Sequence, residues 1–243
     1  MTITVKATAR VIARLIISLF VTLGLASAGP LEDFRDAVMA TDRGDHATAL
    51  RLFQTLADQG MPGGYFGIGL MHFEGRGVSR NYDAALKWYR LAAEKEHYHA
   101  QFEIGAMYDT GTGVRRDHAE AARWYRRAAD HGYAKAQSNL ASMYLQGVGV
   151  ARDYAEAARW ARLAVEQGEV RALNYLGVIY TKGYGVPRDN VEAYKWFSLA
   201  VSRAEPAQLR EFTENRDLVA RQMTAAQVAE AQLRAREWKP TAR

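Results

Sequence analysis

Residues 97–132 read HYHAQFEIGAMYDTGTGVRRDHAEAARWYRRAADHG, and residues 133–168 read YAKAQSNLASMYLQGVGVARDYAEAARWARLAVEQG. Laid over one another without a gap, they place Gly111 on Gly147, Gly113 on Gly149, Val114 on Val150, Asp117 on Asp153 and Trp124 on Trp160. The register extends one unit in each direction. Trp88 and Trp196 complete a series spaced 36 residues apart, and Gly75, Gly77 and Val78, or Gly183, Gly185 and Val186, keep the same step. A period of this size marks a chain in which one supersecondary unit stacks on the next, because a lone helix pair cannot bury its apolar face. The full units are 61–96, 97–132, 133–168 and 169–204.

Within a unit the small and apolar residues follow a helical step. Ala100, Ile104, Gly105 and Tyr108 stand at i, i+4, i+5 and i+8, and the stripe returns as Ala136, Leu140, Ala141, Tyr144 and as Ala172, Leu176, Gly177, Tyr180. This first helix of the unit, helix A, stops at a glycine suited to a left-handed turn. Asp117, Asp153 and Asp189 then precede Glu120, Glu156 and Glu192 by three residues, the spacing of a capping box at the start of helix B. Paired carboxylates also serve general acid–base chemistry, but recurrence in three units favours a structural task. Asn81 takes the capping place in the first unit, where Ala84 replaces the glutamate. Along helix B the tryptophans and flanking alanines predict a buried stripe with tryptophan as its largest member.

The flanks read as caps. Residues 29–60 predict a helix pair around Gly44, and residues 205–243 predict two more helices, the last opened by a capping box of Thr224 and Gln227. Leu209, Phe212, Leu218, Val219, Met223, Val228 and Leu233 are expected to cover the open end of the stack. Residues 1–28 have the form of a cleavable signal peptide: Lys6, Arg10 and Arg14, an apolar run from Leu15 to Leu25, then Ala26-Ser27-Ala28. The run is short of the roughly 20 residues a spanning helix needs, so no stable membrane insertion is expected after cleavage. The leader holds three basic residues and no acid, so the formal charge of +5 becomes +2 without it. An exported protein of that charge is not expected to bind nucleic acid. The chain has no cysteine, which an oxidising compartment tolerates when stacked helices supply the core.

The recurring Ala-x-x-x-Ile/Leu-Gly-x-x-Tyr, Gly-x-Gly-Val-x-x-Asp and Ala-x-x-Trp-Tyr/Phe-x-x-Ala resemble the Sel-like repeat, a longer-looped relative of the tetratricopeptide repeat, over residues 61–204. His72 in place of tyrosine and Ala161 in place of the aromatic after Trp160 depart from the pattern. The resemblance implies an all-α fold, a right-handed α/α superhelical solenoid of about twelve antiparallel helices. It further implies a non-catalytic scaffold or adaptor without cofactor, periplasmic or secreted, for a protein partner such as a membrane sensor or an envelope assembly component. Hydrolases reported in the family are cysteine-rich, and this chain has no cysteine to match them.

In that geometry helix A lines the concave wall and helix B the convex one. The middle strip of the groove is then Phe66, Phe102, Ser138 and Asn174, flanked by Leu70 and Val178 and, nearer the helix starts, by His99, Lys135 and Arg171. The grading, aromatic first and basic-polar later, suits a peptide whose hydrophobic residues are followed by acidic ones or a free carboxylate. Alternatively, Phe66 and Phe102 pack inside the superhelix. A second surface is a convex ridge of Lys87, Arg123, Arg159 and Lys195, with Arg90, Arg126 and Arg162 a turn on, suited to an anionic polysaccharide or cell-wall ligand. Glu120 and Glu156, three residues before two of these cations, suit ordinary surface pairing instead. His97 and His99 lack a third ligand at metal spacing, and no nucleophile elbow, zinc-protease helix or phosphate loop is present, so no metal site or catalytic residue is expected.

Overall fold

The computed structural model describes residues 28–240, which form twelve α-helices and, among the described residues, no strand. They are α1 (Ala28–Arg43), α2 (His46–Asp58), α3 (Pro62–Glu74), α4 (Tyr82–Glu94), α5 (Tyr98–Thr110) and α6 (His118–Asp130). After them come α7 (Ala134–Gln146), α8 (Tyr154–Val165), α9 (Val170–Lys182), α10 (Asn190–Arg203), α11 (Pro206–Ala220) and α12 (Ala225–Glu237). The number and class agree with an all-α repeat solenoid. The expected signal segment lies outside the described residues except for Ala28, where α1 begins.

The helices group into two compact units. One runs to Ile104 and includes Thr112–Val114; the other comprises Gly105–Gly111 and the chain from Arg115 onward. In the first, α1 packs on α2, α2 on α3 and α3 on α4. In the second, each helix from α6 to α10 packs on its successor, α9 also meets α7 and α11, and α12 packs on α10.

The caps form as the spacing requires, but only on one side of the box. Asp117 Oδ1 accepts the Glu120 amide at 2.9 Å, Asp153 Oδ1 those of Ala155 and Glu156, Asp189 Oδ1 those of Val191 and Glu192, and Asn81 Oδ1 that of Ala84. Each such cap is worth about 1 kcal/mol. The glutamates do not turn back to the cap. Glu120 and Glu156 instead accept the indole N–H of Trp124 at 2.7 Å and of Trp160 at 3.0 Å, one helical turn on. An indole donor facing the core gains from an acceptor, and in these two repeats that gain outranks an amide that can reach water; the buried Trp196 N–H has no acceptor among the described residues.

The tryptophans are not uniformly the core. Trp88 and Trp124 are half-buried, whereas Trp160 and Trp196 are buried. In three units the next residue is deeper, with Tyr89, Tyr125 and Phe197 at most 2% exposed. A Cβ on Gly69, Gly105 or Gly177 would lie 2.6, 2.7 or 2.5 Å from Tyr89, Tyr125 or Phe197 respectively. The glycine of helix A is thus the seat of the ring on helix B. The third unit carries Ala141 and Ala161 at these two places.

The C-terminal helices cover the stack with fewer residues than expected. Phe212, Val219 and Ala231 are buried, and Met223 and Val228 pack beside Tyr194 and Phe197. Leu209, Leu218 and Leu233 face outward, 45%, 53% and 50% exposed. Phe212 and Val219 are seven residues apart and share one face, which leaves Leu209 and Leu218 on the flanks of α11. The Thr224–Gln227 capping box closes reciprocally, at 2.8 and 3.2 Å.

Candidate functional site

In the first unit a half-open cleft is lined by Phe34, Val38 and Thr41 of α1, Phe53 of α2, and Phe66, Gly67, Leu70 and Met71 of α3. Glycine is required at position 67, because a Cβ would meet the Phe53 ring at 2.3 Å. Glu74 and Arg76 supply the polar part of the lining, with Arg76 Nε 2.6 Å from Glu74 Oε2. Burial raises the Glu74 carboxyl above its usual value, and the Arg76 charge opposes that rise.

Phe66 lines this cleft and is also packed. It is 4% exposed, its ring 5.7 Å from Tyr89, 4.8 Å from His97 and 6.0 Å from His99. Leu70 is half-buried in the cleft wall, Phe102 is half-buried, and His99 is buried at 3% exposure. Of the expected residues in this unit, Leu70 and Phe102 therefore offer more surface than Phe66 or His99.

His97 has a structural task. Its Nδ1 accepts the Ala100 amide at 3.3 Å at the start of α5. Burial, then the neighbouring His99 charge, lower its pKa to about 3. The unfolded chain takes up this proton below the usual histidine value of about 6.5, whereas the folded chain refuses it until about 3. Its contribution is therefore present above that unfolded value and is lost as pH falls towards 3. Between pH 7 and pH 5 we expect a loss of about 2 kcal/mol. Urea midpoints at the two pH values should show it in the parent chain, with the difference shrinking in His97→Asn, which keeps a capping acceptor. An equal pH dependence in both chains would assign it elsewhere.

In the second unit the structure moves the open strip by one residue. Ser138 and Asn174, expected in the groove, are buried at 0% and 3% exposure. Asn174 is held under α11, donating to Glu211 Oε1 at 3.3 Å and accepting from Asn215 Nδ2 at 3.1 Å. The open strip runs through Lys135, Asn139, Ser142 and Gln146 on α7 and through Arg171, Tyr175, Val178 and Lys182 on α9. Lys135, Arg171 and Val178 keep their expected place on it, while Asn139 and Tyr175 went unrecognised. At about 100° per residue, the buried arc of α7 spans roughly 220° from Met143 round to Ser138. The A-helix stripe alone would have given a narrower arc.

Two side chains link the strips of neighbouring A helices. Arg171 Nη2 donates to Asn139 Oδ1 at 3.1 Å, while Arg171 Nε lies 3.5 Å from Glu169 Oε1. Among the described residues Lys135 makes no ion pair or side-chain hydrogen bond.

The helix B ridge is largely occupied with itself. Arg123 pairs with Glu120, Arg159 with Glu156 at 2.9 Å and Lys195 with Glu192 at 3.0 Å. Hydrogen bonding from Arg159 holds the Glu156 carboxyl below its usual range. Arg126 bonds the Tyr144 hydroxyl and lies over the Tyr144 and Trp160 rings, and Arg159 stands 3.9 Å over Trp160. Among the described residues no helix is long and apolar enough to cross a membrane.

Comparison with known proteins agrees with this architecture. Sel1 repeats are matched at residues 39–61, 62–97, 99–133, 134–169 and 170–204, the first falling in the N-terminal helix pair. A protective antigen present in uropathogenic Escherichia coli strains, displaying an SLR fold, is 34% identical with a TM-score of 0.74. That likeness covers 86% of this chain and 45% of the antigen, so the chain spans under half of it. A Sel1 repeat protein from Oxalobacter formigenes is 28% identical with a TM-score of 0.67, covering 82% of this chain and 84% of the other. No curated protein matches. With Sel1 repeats matched over most of its length and helices in the register those repeats require, the chain belongs to the Sel1-repeat family.

Proposed function

We propose that this chain is a non-catalytic scaffold that holds a polypeptide partner on the open faces of its A helices, with the apolar cleft of the first unit as anchor. Sel1-repeat proteins generally act as protein-interaction scaffolds. The observation that carries the reading is the cleft itself, where Phe34, Val38, Phe66 and Leu70 gather around the glycine at position 67. A partner Leu or Phe buried there contributes about 1.5–3 kcal/mol, the size of an interface anchor. A convex ridge binding anionic polysaccharide has less support, since three of its four leading cations already face glutamates of their own helix. An envelope hydrolase has less still, for neither the cleft nor the open strip brings a nucleophile to a base. The basic leader and apolar run favour an exported protein, and the expected mature end at Gly29 is checked by N-terminal sequencing of protein from the periplasmic fraction.

A photo-crosslinking residue in place of Leu70 should trap a discrete partner in the native envelope. Leu70→Glu in a chain carrying the crosslinker at Val38 should abolish the adduct while the helical melting curve is retained. Survival of the same adduct would remove the cleft from the interface.

A further inference from the structure

Resting on the scaffold reading, we propose that the second unit carries a carboxylate-binding site, formed by Lys135, Asn139 and Arg171, that takes an acidic residue or the C-terminal carboxylate of the bound polypeptide. The argument turns on which way Asn139 faces. A guanidinium only donates hydrogen bonds, so Arg171 Nη2 at 3.1 Å must meet the amide oxygen of Asn139. The Asn139 NH₂ group is thereby left pointing away from Arg171, as a free donor on a half-exposed helix face. Lys135 lies one turn before it on the same face, where side chains four apart are neighbours. Its ammonium has no partner among the described residues.

Arg171 is only partly committed. Its Nε edge faces Glu169 at 3.5 Å and its Nη2 faces Asn139, which leaves Nη1 unengaged. Two cations, Lys135 and Arg171, stand against one carboxylate, Glu169, and the groups that these two side chains and Asn139 have left over are donors. A neutral or cationic partner segment would gain nothing from that set, whereas a carboxylate accepts from all three groups at once. The corresponding positions differ elsewhere: Gly63 and Gly67 on α3, His99 and Glu103 on α5. The site is thus particular to α7 and α9 and is not a requirement of the repeat.

The probe is N-acetyl-triglutamate, titrated into full-length protein labelled with ¹⁵N and followed on the Asn139 side-chain amide and the Arg171 Nε–H signals. Both should shift in a saturable way, and N-acetyl-triglutamine amide, which has no carboxylate, should leave them in place. Lys135→Gln and Arg171→Gln should each weaken the titration about tenfold, as expected for loss of one charge-assisted contact. Equal shifts with the glutamine peptide, or shifts confined to the Arg123 and Arg159 side chains, would overturn the site. The cleft is tested apart from it. A Leu70 adduct that persists while triglutamate fails to bind removes this inference alone, and loss of the adduct with triglutamate still bound removes only the anchor.

Discussion

Gly149→Ala should destabilise the second unit by about 4 kcal/mol, while Gly147→Ala, two residues earlier, should cost only about 1–2 kcal/mol. Both glycines have a left-handed φ, +70° and +71°. They differ in what stands nearby. A Cβ at position 147 finds its nearest neighbour 3.2 Å away, the Cβ of Arg152 on the same loop, which can yield. A Cβ at position 149 would lie 2.1 Å from the carbonyl oxygen of His118 and 2.4 Å from its carbonyl carbon. That backbone is the first turn of α6, the B helix of the preceding repeat, and it cannot move without unseating the stack. Gly185 stands in the same relation to Tyr154, with backbone atoms 2.8–2.9 Å from a Cβ. The second glycine of each of these loops is therefore a contact between repeats, whereas the first is a helix stop. The chain shows what the conformation alone demands: Glu96 adopts φ 61° at the place where Gly132 and Gly168 have nothing within 4 Å. Urea denaturation of the two variants decides the matter, and equal losses would mean that the α6 backbone is soft.

The helix count, the caps and the loop glycines were legible because each follows from a local rule that the period repeats until it is unmistakable. What stayed hidden depended on neighbours. Placing the groove at Ser138 and Asn174 instead of Asn139 and Tyr175 is an error of one residue, or about 100° of rotation. The stripe Ala136, Leu140, Ala141 identifies the buried side but not its width, which grows when a helix meets both adjacent A helices as α9 does. The partner of Glu120 was hidden for a similar reason. Its three-residue spacing from Asp117 satisfies the capping rule, and only coordinates show that Trp124 competes for the same carboxylate. Leu209, Leu218 and Leu233 resemble covering residues in apolar content but not in face; two of the three lie on the flanks of α11. For Phe66 both readings hold a part, since the ring packs on Tyr89 and also lines the cleft.

Gly177→Ala should change sign with the residue at position 197. In the parent chain the new Cβ would sit 2.5 Å from Phe197 Cδ1 and Cε1, and overpacking as close as that costs about 3 kcal/mol, the upper end of the usual range. The helix itself favours alanine over glycine by about 1 kcal/mol, so the net loss should be about 2 kcal/mol. With Phe197→Ala the ring is gone and only the propensity remains, so the same substitution should then stabilise by up to about 1 kcal/mol. The coupling of about 3 kcal/mol is at the upper end for touching residues, because α9 and α10 approach closely only where the glycine lets them. The third repeat has already made both changes together, with Ala141 facing the place of Ala161. The converse follows: Ala161→Phe should destabilise that repeat, and adding Ala141→Gly should recover most of the loss. Chemical denaturation of the four chains at positions 177 and 197 measures the cycle directly. Additive effects would show that the ring and the glycine do not meet, and that the pairing of glycine with an aromatic in three repeats and alanine with alanine in the third has another cause.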